Sequence, residues 1–214
     1  VVSVQGVDEP VVELLHRRAS ASAATGEWAR AELDWLRVLA IAEETGDQRR
    51  FEATLPLLGA TYQAWGRPHR TVDVLLELAT ARERDGDPVG HADALAAVGR
   101  TLTDALRPDA AIDYLGRAEK ELAGLGDRAA TDPAVAPLHA SVLEELARAH
   151  VARGTINTAR TLLRQALTLV VDLDEEAAER VRTRQAALPD ARVEPAQRRA
   201  GSGRDRSCGD TRPS

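Results

Sequence analysis

A chain of 214 residues, 43% of them apolar and only 3% aromatic, has enough material for one domain or one extended array. So few aromatics leave the packing to small and aliphatic side chains, which suits helices in close contact and argues against an aromatic-rich β-sandwich. A formal charge of -6 argues against direct nucleic-acid binding, which needs a clustered basic surface.

The amino end, VVSVQGVDEP, carries Asp8 and Glu9 where a signal peptide needs an apolar run. No later stretch reaches the roughly 20 apolar residues that span a bilayer. The single cysteine, Cys208, sits near the carboxyl end, so neither an intrachain disulfide framework nor a thiolate cluster can form. A cytoplasmic address with no membrane contact is expected. Methionine is absent, so Val1 reads either as a GTG start or as the first residue of a piece of a longer chain.

Three Gly-Asp pairs, Gly46-Asp47, Gly86-Asp87 and Gly126-Asp127, recur every 40 residues, with a second beat at Gly26, Gly66 and Leu106. A further unit follows at Gly154 after 48 residues, which places about eight extra residues near 128–135. Small residues stand five places after these markers, at Ala31, Thr71, Ala111 and Ala159, and large ones nine places after, at Trp35, Leu75, Leu115 and Leu163. Helix axes approach closely only where side chains are small. The spacing predicts helix pairs over about 10–45, 48–85, 88–125 and 136–172, within units 10–46, 47–86, 87–127 and 136–173, after a lead-in at 1–9.

In the third pair Leu95, Val98, Gly99, Leu102 and Leu106 define one face, with Arg100, Thr103 and Asp104 off it. Asp87-Pro88 reads as an N-cap followed by a first-turn proline, and Gly46, Gly86 and Gly126 as left-handed stops. Pro56 falls inside a predicted helix, where it should cost about 3 kcal/mol and produce a kink or a late start. A polar helix over 174–188 is expected to cap the array, and the Arg/Gly/Ser-rich segment 189–214 to be disordered.

Leu58-Gly59-x-x-Tyr62, with Gly66, Thr71 and Leu75, resembles the tetratricopeptide repeat; so do Ala111, Leu115 and Ala118, and Ala159, Leu163 and Ala166. The resemblance spans residues 10–173, and its period of 40 exceeds the usual value of about 34. In this it is similar to the longer-helix variants of bacterial regulators and motor light chains. It implies an all-α right-handed superhelical solenoid of about four helix pairs with a capping helix, its concave surface lined by the first helix of each pair. The residue after the small position of that helix is then expected on the concave side, at Ser20, Ala60, Arg100 and Arg148. Gln63, Thr103, Asp104 and Glu144 map to the same face. Arg100 and Arg148 either hold carboxylates of a partner or pair with Asp104 and Glu144 at the surface.

Catalytic chemistry finds no footing. The only lysine, Lys120, lies in a helical stretch rather than after a glycine-rich turn, which excludes a P-loop, and Gly201-Ser202-Gly203 lacks nucleophile-elbow spacing. Asp87, His91 and Asp93 are the nearest approach to a metal cluster, but an N-cap Asp87 with a surface His91 is the simpler reading. His150 takes the place of Tyr62 and reads as a packed residue. Trp28, Trp35 and Trp65 read as packing or groove-edge residues. No cofactor is expected. The sequence points to a non-catalytic scaffold that binds a protein or peptide. The rival readings are a sensor or oligomerisation fragment of a bacterial transcriptional regulator or signalling ATPase and, last, an enzyme or metal-binding protein.

Overall fold

The computed structural model describes residues 9–128 and 132–189. The expected tail from residue 190 onward, and all but Glu9 of the expected lead-in, lie outside them. The described chain contains nine α-helices and no strand. They are α1 (Glu9–Ala24), α2 (Trp28–Thr45), α3 (Gln48–Ala64), α4 (Pro68–Arg84), α5 (Pro88–Asp104), α6 (Pro108–Ala123), α7 (Ala136–Arg153), α8 (Ile156–Val170) and α9 (Glu175–Ala186). Successive helices pack as antiparallel neighbours, α1 on α2 through α7 on α8, and α9 closes on α8.

Local chemistry sets the boundaries. Asp47, Asp87 and Asp174 accept hydrogen bonds from the backbone N–H groups of Arg50, Gly90 and Ala177 and so satisfy first-turn donors. Pro68, Pro88 and Pro108 open α4, α5 and α6, where a missing N–H costs nothing. The turn inside each pair needs one left-handed residue, and Gly26, Gly66 and Gly154 supply it at φ of 79°, 73° and 90°. Leu106 occupies the same place at φ 58°, and it is 85% exposed. The face drawn through Leu95 and Leu102 therefore does not extend to Leu106, which lies beyond the end of α5. Pro56 causes no late start: α3 runs unbroken from Gln48 through it. The proline ring is exposed while its neighbours Leu55 and Leu58 are buried, and that packing offsets the lost backbone bond.

The core runs along the stack. Trp35, Leu55, Leu58, Leu75, Leu95, Val98, Leu115 and Leu122 belong to one cluster, and Leu143, Leu163, Val170 and Val181 to a second beneath α9. Small residues let the helices close up. Gly59 meets Leu75, and Gly99 meets Leu115, each across a helix pair. A buried polar tie accompanies each of the first three pairs: Arg18 to Asp34, Arg82 to Glu52, and His91 Nδ1 to Glu121 at 2.7 Å. His91 is thus buried against α6 rather than at the surface, and Asp87 is occupied in capping α5. Between pairs, the Tyr62 hydroxyl donates to Glu32, which also takes Arg70, so α2, α3 and α4 meet at one carboxylate. Trp35 Nε1 donates to Thr61 across the α2–α3 contact at 3.1 Å.

Candidate functional site

The side of the array presented by α1, α3, α5 and α7 changes character along its length. On α3, Ala53, Leu57, Ala60 and Ala64 recur at helical spacing and are all exposed, with Gln63 beside them. Ser20 is exposed at the corresponding place on α1. This half of the face carries small, uncharged side chains close to the backbone.

On α5 and α7 the same row holds Arg100 and Arg148, both half-buried, and the two are in different electrostatic states. Arg148 is neutralised twice. Its Nη1 lies 2.5 Å from Asp104 Oδ1 on α5, and its Nε donates to Glu145 at 2.7 Å. Burial opposes the charge on Arg148, but the bonds it donates to Asp104 and Glu145, with the charges of those carboxylates, outweigh it and hold the guanidinium pKa above its ordinary value. Arg100 makes no hydrogen bond or ion pair among the described residues. The repeat explains the difference: the place equivalent to Asp104 is Ala64, and the place equivalent to Glu145 is Ala97.

Two further residues mapped to this face are occupied. Thr103 is 6% exposed, and its hydroxyl donates to the Gly99 carbonyl within α5. Glu144 is 2% exposed, with Arg180 at 3.1 Å and Arg184 at 3.2 Å, both from α9. Neither presents a free side chain, because α5 is enclosed on more sides than one amphipathic stripe allows and α9 folds its arginines over α7. Asp104 is exposed but serves Arg148. Ser20, Ala60, Gln63 and Arg100 thus remain as the accessible positions of the mapped row.

At the α9 end, a cleft of about 390 Å³ is lined by Ala147, Arg148, Val151, Leu163, Arg184 and Leu188. His150 points elsewhere, its Nδ1 2.8 Å from Thr155 Oγ1. Burial, and then the charge of Arg153, lowers its pKa. Trp35 is core, whereas Trp28 and Trp65 are half-buried beside a shallow cleft at the Gly26 turn, with Arg67 stacked 4.9 Å from the Trp65 ring. No three metal-ligating side chains converge among the described residues, and no described helix is long and apolar enough to cross a membrane.

No protein-family profile and no curated protein matches the chain. Solved structures do. A candidate kinesin light chain from Podosopora anserina with nearly identical TPR-like repeats aligns at 19% identity and a TM-score of 0.61, over 82% of this chain and 83% of that one. BtubC (BKLC) from P. vanneervenii aligns at 17% identity and a TM-score of 0.62, over 86% and 85% of the two chains. The fold is a TPR-like repeat array. TPR-like arrays generally serve as protein-interaction scaffolds, with extended surfaces instead of deep water-excluded pockets.

The legible part of this face was its register, since the small residue of each first helix marks the row beside it. The missed part was occupancy. The arginines that cover Glu144 lie 36 or more residues along the chain, on a helix outside the repeat, and no periodic signal announces them.

Proposed function

We propose that the chain is a non-catalytic scaffold that binds an extended protein or peptide segment along the inner face of its TPR-like array. The uncharged surface of Ala53, Leu57, Ala60 and Ala64 takes the apolar part of that segment, and Arg100 takes a carboxylate. The observation that carries this reading is the unpaired state of Arg100 beside a fully paired Arg148. A half-buried guanidinium without a counter-ion gains more from an incoming carboxylate than one that must first release Asp104 and Glu145, because the cost of separating existing pairs is avoided.

A photo-crosslinking side chain at Ala60, in cells of the native host, tests the location. Crosslinks to a defined protein from position 60, and none from the exposed outer position Asp113, are expected. Equal yields from both positions would contradict binding on this face.

A further inference from the structure

The two ends of the array are finished differently. At the carboxyl end α9 lays Ala177, Ala178 and Val181 on the second core cluster and turns Glu175, Glu176 and Glu179 outward. At the amino end the first pair exposes large apolar side chains: Val11 (48%) and Leu14 (61%) on α1, Leu33 (60%) and Leu36 (45%) on α2.

Later pairs show what this side of a pair normally meets. Leu14 corresponds to Thr54, Ala94 and Val142, all of them buried. Thr61, two helical turns beyond Thr54, is in contact with Trp35 of the preceding α2, so that side of α3 faces the pair before it. On α4, Glu77, Thr80 and Arg84 line a groove shared with Ala42 and Glu43 of α2. Their counterparts on α2 are Arg37, Ala40 and Glu44, which places the row through Leu33, Leu36, Arg37, Ala40 and Glu44 on the same upstream side. In a stacked array that side is normally covered or polar, whereas among the described residues nothing covers it and Val11, Leu14, Leu33 and Leu36 are exposed on it.

We propose that it is covered by the same end of a second copy, two arrays meeting amino end to amino end about a two-fold axis. Head-to-tail stacking is not open to a second copy, because α9 closes the other end with a charged surface. The free charges are self-complementary. Arg37 and Glu44 make no ion pair among the described residues, and they stand about 10 Å apart along α2. An antiparallel α2 from the second copy sets Arg37 of each chain opposite Glu44 of the other.

The test is the mass of the whole 214-residue chain in solution, by sedimentation equilibrium, at tens of micromolar. Twice the chain mass of 23.0 kDa is expected. Leu33→Glu with Leu36→Glu should give the single-chain mass with unchanged helical circular dichroism. Arg37→Glu alone should weaken association about tenfold, and Arg37→Glu with Glu44→Arg should restore it. The charge swap keeps the test valid even if the leucine variant folds poorly. A single-chain wild type, a double mass indifferent to the leucine pair, or no restoration by the swap would each overturn the proposal. So would a monomer that associates only once residues 1–8 are removed, which would show those residues to be the cover.

Discussion

Leu115 fills the space that a side chain on Gly99 would need: a Cβ built at Gly99 would stand 2.4 Å from the Leu115 Cγ. The equivalent contact one pair earlier is looser, with the nearest atom of Leu75 3.7 Å from a Cβ at Gly59. Gly99→Ala is therefore expected to destabilise by about 1–3 kcal/mol through overpacking. Gly59→Ala should be neutral or stabilising by about 0.5–1 kcal/mol, since alanine is the better helix former. Urea unfolding of the two variants checks this, and equal losses would place the α3–α4 and α5–α6 contacts in one geometry.

Leu106 carries a second asymmetry. It is the only non-glycine residue at positive φ among the described residues, and its side chain gains almost nothing from burial. Leu106→Gly matches the turn at Gly26, Gly66 and Gly154, and it should raise stability by about 1 kcal/mol by relieving left-handed strain. A lower denaturation midpoint in this variant would show that Leu106 has a role that its exposure does not reveal.

Those same residues show how far the sequence could be read. Gly-Asp spacing, the small-large alternation and Leu58-Gly59-x-x-Tyr62 disclose the helix pairs because every pair must satisfy the same packing, so its solution repeats in the chain. What does not repeat stays hidden. His91 held by Glu121 and Glu144 beneath Arg180 and Arg184 each depend on a partner that only one repeat possesses, and Leu106 stands exposed where the other pairs have glycine. The contrast between Arg100 and Arg148 lies between these cases. Ala64 and Ala97 were visible in register, but their meaning needed the Arg148–Asp104 bridge to be seen.

Acid should test the first pair. Arg18 donates two hydrogen bonds of 2.6 Å to the buried carboxylate of Asp34. Those bonds, against the opposing effect of burial and with the charge of Arg18, hold the Asp34 pKa below its ordinary value. A carboxylate depressed in the folded state contributes stability that is present above its unfolded pKa of about 3.9 and lost as pH falls through the folded value. Arg18→Gln should therefore destabilise at neutral pH, with the difference from wild type shrinking below about pH 4. Melting curves at several pH values provide the check, and a difference independent of pH would assign the effect of Arg18 to packing.

The central claim is that the inner face binds a partner carboxylate through Arg100, and the affinity of the crosslinked partner for charge-reversed variants tests it most directly. Arg100→Glu should weaken binding by at least about tenfold with helicity unchanged, through loss of a charge-assisted bond and repulsion in its place. Arg148→Glu, whose native charge is already spent on Asp104 and Glu145, should weaken it less. Undiminished affinity in a folded Arg100→Glu chain would contradict the account.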